Sequence, residues 1–226
     1  MRCFSIDLST QIASVAIVHN DTAQIFESWD QKSVPRQYVF VRLASLFSKP
    51  AYQPESIDQF VVGLGPGSFS GIRAAIALVT GLAMPGNKPV GGISGAESLA
   101  SDILLESQNP KVVIVGDARR QHLWAARYCY KNGCVVPLMK CTLFTHESFR
   151  KNCLNTDLLV SPDFNRLEKF LRDMSKEGLQ IIPEPRYPQA KAIARIALRR
   201  IRDNILLDPL KPLYLHPPVF TTPQKK

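Results

Sequence analysis

The sequence predicts an α/β fold in two lobes, and three observations carry that prediction. Strand-like and helix-like stretches follow one another in the order β-β-β-α-β-α-β-α over the first half of the chain. A second group of strands begins at residue 111 and opens as the first does, with an apolar strand that ends in an aspartate and then turns. Within the first group, residues 61–76 (VVGLGPGSFSGIRAAI) run from a buried-type strand through a glycine-rich turn into a helix.

Residues 2–8 alternate weakly and end in Asp7, and Ser9, Thr10 and Gln11 make a turn. Residues 12–19 read as a second strand, Asn20-Asp21 as a tight turn, and 22–29 as a third strand, which together make an antiparallel meander. Helical spacing of Val39, Leu43, Leu46 and Phe47 places a helix over 35–49, and Pro50 to Pro54 ends it. A strand over 57–64, a helix over 71–84, a stop at Pro85-Gly86-Asn87 and a short strand over 89–93 follow. Ser94 starts a helix through about Glu106, with Glu97 placed to complete a capping box. Strands are expected over 111–117, 123–130 and 135–140, and helices over 162–176 and 188–204. Prolines at 209, 212, 217, 218 and 223 make the end extended.

A sheet begun by a hairpin in each of two lobes is how the actin-like ATPase fold (sugar kinase/Hsp70/actin) is built. The first lobe is expected over 1–108 and a reduced, divergent second lobe with a Pro-rich tail over 109–226. In that fold Asp7, Ser9 and Thr10 occupy the first phosphate loop and Asp117, Arg119 and Arg120 the second. The second loop needs small residues so that backbone can approach a phosphate. Its bulky arginines favour a remnant site with weak or absent nucleotide binding.

At 226 residues the chain can bury a sizeable core, and no apolar run reaches the roughly 18 residues of a membrane helix. The first residues are too short in apolar length for a secretory signal, so a cytoplasmic protein without a membrane partner is expected. Five cysteines with no C-x-x-C pair argue against a disulfide framework and a zinc site. The net charge of +9 is concentrated toward the end, where 183–226 hold nine Lys or Arg against three Asp or Glu. Lys191, Arg195, Arg199 and Arg202 recur at helical spacing and form a basic stripe suited to RNA phosphates, to an acidic partner or simply to solvent.

The glycine-rich segment Gly63, Gly65, Gly67, Ser68, Ser70, Gly71 and Arg73 reads two ways. It is either a tight strand-to-helix connection or an anion cradle at a helix N-terminus. It lacks the Gly-Lys-Ser/Thr of a P-loop. The helix after it (GIRAAIALVTGLAM) is apolar nearly all round, so both its faces should be covered. Val39, Phe40, Leu43 and Phe47 with Gly71, Ala74, Ala75, Leu78 and Gly81 are the candidates for a helical face that meets either this chain's own core or another protein. His19, His122, His146 and His216 are too far apart to pair on one helix, and G-x-S-x-G is not matched, so neither a helical metal pair nor a serine elbow is expected.

Asp7-Leu8-Ser9-Thr10, the run Gly63 to Arg73, Asp117-Ala118-Arg119-Arg120 and the ending Pro212-Leu213-Tyr214-Leu215 resemble the TsaB (YeaZ) family. The resemblance covers residues 1 to about 130. It implies the actin-like fold and a non-catalytic role in threonylcarbamoyl modification of the tRNA adenosine next to the anticodon. It also implies pairing with a TsaD homologue, the TsaE ATPase joining through the complex, tRNA met through the complex, and a homodimer of the isolated chain. Against it stands an ATP-dependent small-molecule kinase or ATPase of the same fold. The chain departs from the family at 33–36 (Ser-Val-Pro-Arg), where members usually carry His-Ser or His-Thr, and Ser70 stands in place of the usual threonine.

Overall fold

Alternating apolar residues pair into two five-stranded sheets in the computed structural model, which describes residues 1–107, 110–131, 133–153 and 158–215. The first sheet comprises β1 (Arg2–Asp7), β2 (Ile12–His19), β3 (Thr22–Asp30), β4 (Gln59–Gly63) and β5 (Val90–Ile93), in the order β3-β2-β1-β4-β5. β1 runs antiparallel to β2 and parallel to β4. The second comprises β6 (Lys111–Arg119), β7 (His122–Lys131), β8 (Cys134–Thr145), β9 (Leu158–Ser161) and β10 (Gln180–Pro185), in the order β10-β9-β6-β7-β8. The helices are α1 (Tyr38–Phe47), α2 (Phe69–Ala83), α3 (Gly95–Glu106), α4 (His146–Asn152), α5 (Phe164–Lys176) and α6 (Ala190–Arg202).

Each lobe is therefore three strands, then helix, strand, helix, strand, helix. The second lobe, read from sequence as short, carries the same element order as the first. The elements that sequence reading passed over are α4 with seven residues, β9 with four, and β10. The first two are too short for a hydrophobic period to register. β10 (QIIPEP) contains two prolines, which suit a strand only at a sheet edge, where it lies.

β1 and β4 are buried on both faces, which is why they read as continuous apolar runs. Phe60 and Val62 meet Leu43 and Val79 on the outer side, whereas Val61 meets Ile193 and Ala194 on the inner side. The second sheet packs Val113 and Val115 on Leu167, Leu171 and Met174. The third helix of each lobe crosses to the sheet of the other. α3 lays Leu99 and Ile103 on Val112, Ile114 and Trp124, and α6 lays Ile193, Ala194 and Ala197 on Ala16, Val18 and Val61. Two buried serines seat α6. Ser5 Oγ donates to the Ala190 carbonyl at 2.7 Å, and Ser14 Oγ accepts from the Ala190 N–H at 2.9 Å.

The capping box expected at α3 does not form. Ser94 is the N-cap residue, but its side chain accepts no capping bond. Glu97 instead takes two bonds from the Arg200 fork at 2.8 and 2.6 Å, and Arg200 also reaches Asp208 at 3.3 Å. The carboxylate lies between two helices, where a guanidinium outcompetes the helix's own N–H group. Burial nonetheless pushes the Glu97 carboxyl up, with Arg200 opposing. The chain then returns over the first lobe, bridging Gly92 to Asp208 and bonding the Leu213 N–H to the Leu64 carbonyl at 3.0 Å. His216 and the prolines at 217, 218 and 223 lie outside the described residues.

Removing one member of a half-buried pair strands the other, so Arg200→Ala is expected to cost about 3 kcal/mol in urea unfolding. The double replacement Glu97→Leu with Arg200→Leu should cost less than that. A larger loss in the double variant would show that the pair stabilises the lobes outright.

Candidate functional site

The two lobes leave a cleft of about 1730 Å³ between the turn after β1, the start of α2, the β6–β7 hairpin and the start of α5. Its floor is set by close backbone contacts that only glycine permits. A Cβ at Gly63 would lie 1.8 Å from Asp7 Oδ2, one at Gly67 2.1 Å from the Ser9 carbonyl, and one at Gly71 2.0 Å from the Leu8 carbonyl. The Ser68 N–H donates to the same Ser9 carbonyl at 2.7 Å. The glycine pattern is thus accounted for by packing residues 63–71 against 7–9. Gly65 also needs glycine, at φ 81°.

The two matching acids do the same local work. Asp7 Oδ1 accepts from the Ser9 N–H at 2.8 Å and Ser9 Oγ at 2.7 Å, and Asp117 Oδ1 accepts from the Arg119 N–H at 2.8 Å. Each carboxylate closes the hairpin turn two residues on. Asp7 is fully buried and does not line the cleft. Burial pushes its carboxyl up from 3.8 to about 6, while both Ser9 bonds oppose the rise. Asp117 lies at the cleft but is held by Arg119 at 3.1 Å and Arg166 at 3.9 Å, and its N–H donates to Asp163 at 3.0 Å. Burial raises the Asp163 carboxyl. Arg119, Arg120 and Gln121 have φ of 67°, 50° and 60°, a left-handed run without glycine. Side chains therefore stand where a phosphate-binding loop would offer bare backbone.

The hydroxyls of the glycine segment serve the helix. α2 starts at Phe69 rather than Gly71, and Ser68 Oγ accepts from the Gly71 N–H at 3.2 Å as its N-cap, with Ser70 Oγ 3.4 Å away. Thr10 Oγ1 donates to the Ile12 carbonyl at 3.0 Å. Arg73 donates to the Tyr214 hydroxyl at 2.7 Å and lies 3.7 Å over the Phe69 ring, which itself stacks on Tyr214. The sequence shows Phe69 and Tyr214 only as members of two separate motifs, with no sign that they meet. An aromatic at a helix start beside a serine cap carries no distinguishing pattern, and its partner is 145 positions away.

The candidate partner face divides. Val39, Leu43 and Ala75 are buried in the core of the first lobe and leave that face, because they point down onto the sheet. Phe47 is half-buried against Phe4, and Gly71 and Leu78 are half-buried. Phe40, Ala74 and Gly81 are exposed, and the structure adds Val41 and Ala77 beside them. The basic stripe of α6 lies away from the cleft against the β2–β3 hairpin. Lys191 sits 4.9 Å over Phe26, Arg195 donates to the Asp21 carbonyl at 3.3 Å and Arg202 pairs with Asp21 at 2.8 Å. Arg199 bonds the Gly133 carbonyl. Among the described residues no three His, Cys, Asp or Glu side chains come together, and no helix is long and apolar enough to cross a membrane.

The family model "TsaD: tRNA N6-adenosine threonylcarbamoyltransferase" matches residues 39–142. Two curated relatives carry the name tRNA threonylcarbamoyladenosine biosynthesis protein TsaB. The Escherichia coli protein is 27% identical over 57% of this chain and 55% of its own length. The Bacillus subtilis protein is 27% identical over 59% and 57%. The chain is similar to the TsaB (YeaZ) proteins over these stretches. The matched stretch spans little more than half the length of those TsaB relatives. The solved structure "YeaZ from Pseudomonas aeruginosa" superposes with a TM-score of 0.77 at 20% identity, covering 94% of this chain and all of that one, and so shares the actin-like two-lobed fold.

Glycine at two positions of α2 should respond with opposite sign. Gly71→Ala is expected to lose more than about 2 kcal/mol, since the Leu8 carbonyl cannot retreat. Gly81→Ala should gain up to about 1 kcal/mol, since nothing lies within 4 Å of its added methyl. A raised carboxyl pKa means that the folded state holds its proton more tightly than the unfolded chain. The contribution of Asp7 to stability is then greatest near pH 4 and lost as pH rises to about 6. The urea midpoint should fall between about pH 4 and about pH 6, and Asp7→Asn should flatten part of that fall. The remainder would come from Asp102, which burial also raises to about 6.

Proposed function

We propose that this chain is a non-catalytic cytoplasmic subunit in threonylcarbamoyl modification of the tRNA adenosine next to the anticodon. It pairs with a TsaD homologue through the exposed face of α1 and α2. The names of the TsaB relatives support the pathway. Gly81 supports the pairing. A glycine in an exposed helix interior costs about 1 kcal/mol relative to alanine, and among the described residues no atom beyond the surrounding turns of its own helix comes within 4 Å of the missing methyl. Ala74 and Ala77 lie on the same face at steps of three and four, and Phe40, which lines the same groove, is 59% exposed. A second helix could approach such a face closely.

The non-catalytic reading is supported by the two loop acids, each of which accepts from its own turn through Oδ1, and by the left-handed arginines, which disfavour a deep nucleotide. TsaE would join through the complex, and a homodimer is the competing state of the isolated chain.

Co-expression with the TsaD homologue of the same organism followed by size-exclusion chromatography tests the pairing. Ala77→Arg and Gly81→Arg are each expected to abolish co-elution while leaving the melting temperature of the chain within a few degrees of wild type. Ala75→Arg should instead prevent folding, since Ala75 is fully buried. Co-elution that survives both surface variants would place the partner elsewhere.

A further inference from the structure

The cleft is cationic on both walls. Lys32, Arg36 and Arg73 line it from the first lobe and Arg119, Arg120 and Arg166 from the second, against the two carboxylates Asp117 and Asp163. Asp117 is already neutralised by Arg119 and Arg166. Among the described residues Arg36 and Arg120 meet no carboxylate, and both are exposed. Aromatic surface is interleaved with this charge, as it is not on α6. Phe69 and Tyr214 are 54% and 46% exposed at the mouth, and Trp29 and Tyr187 line the interior.

Those features select among anions. A single nucleotide triphosphate needs a tight backbone cradle, and the hairpin that should supply one presents Arg119, Arg120 and Gln121 instead. The volume of about 1730 Å³ also exceeds the roughly 300–1,000 Å³ of a small-molecule site. Arginines spaced across two walls with ring faces between them fit a chain of phosphates that carries bases. The cleft further continues along α2 to Ala74, Ala77 and Gly81, so a protein seated on α1 and α2 would abut its open end.

We propose that the interlobe cleft binds RNA directly, with Arg36 and Arg120 as phosphate contacts from opposite lobes and the Phe69–Tyr214 pair as a stacking surface. Resting on the functional reading above, this gives the chain its own contact with the modified RNA rather than one made only through its partner. An acidic segment of a protein is the rival occupant, but it would leave the ring faces unused.

Both tryptophans of the chain, Trp29 and Trp124, line the cleft, so intrinsic fluorescence reports occupancy without a label. The full chain would be titrated with a synthetic stem-loop RNA over a sodium chloride series, alone and mixed with the TsaD homologue. Quenching is expected, with a slope of log affinity against log salt of about −3 for some four phosphates. Arg36→Glu with Arg120→Glu should weaken binding at least tenfold (about 1.4 kcal/mol) and make the slope shallower, with the melting temperature and co-elution with TsaD unchanged. Binding that ignores this double reversal, binding lost only with Lys191→Glu and Arg202→Glu on α6, equal binding of polyglutamate, or displacement by equimolar Mg-ATP would each overturn the proposal. Should co-elution fail for wild type while the cleft variants still lose RNA, the pairing falls and the cleft stands.

Discussion

The lobes are joined by an exchange of helices, and the geometry of the cleft depends on it. α3 leaves the first sheet to cover the second, and α6 leaves the second to cover the first. Neither sheet can then bury its inner face without the other lobe. The Glu97–Arg200 fork lies between the two exchanged helices, and Ser5 and Ser14 fix the start of α6 on the first sheet. The walls of the cleft keep their spacing because the helices behind them are shared. A full exchange also explains why α6 carries apolar residues on one side in a segment otherwise rich in arginine. Arg195 and Arg202 cover the β2–β3 hairpin while its alanines pack on the sheet.

A second constraint acts at the mouth of the cleft. The segment from Gly63 to Gly71 has to lie in van der Waals contact with the turn after Asp7, and three glycines make room for it. This packing uses the features that a phosphate site would otherwise use. The acid caps a turn, the serine caps a helix and the glycines admit carbonyls of the same chain. What remains for a ligand is side-chain surface, cationic and aromatic, distributed across both lobes.

The α1–α2 face and the cationic cleft are two ends of one groove. Small residues at Ala74, Ala77 and Gly81 suit close approach of a helix, and the arginines beyond Arg73 suit an extended anion.

The sequence by itself determined the element order of the first lobe, the opening strands of the second and the family resemblance. β1, β2, β4 and α2 are long or apolar enough for periodicity and turn residues to decide them locally. Asp7 and Asp117 were paired correctly as matching acids, because a strand ending in aspartate before a turn is a local signal. Their role was not legible, since whether a carboxylate faces a ligand or its own backbone depends on the direction of one side chain. The orientation of Val39, Leu43 and Ala75 toward the core was likewise hidden in a helix apolar nearly all round, where no stripe marks the buried side. β9, β10 and α4 were too short or too proline-rich to be read, and edge position and packing on the second sheet decided them. The crossing of α3 and α6, the Glu97–Arg200 pair and the gathering of six cations in one cleft join residues far apart in the chain, so only the tertiary structure could bring them together.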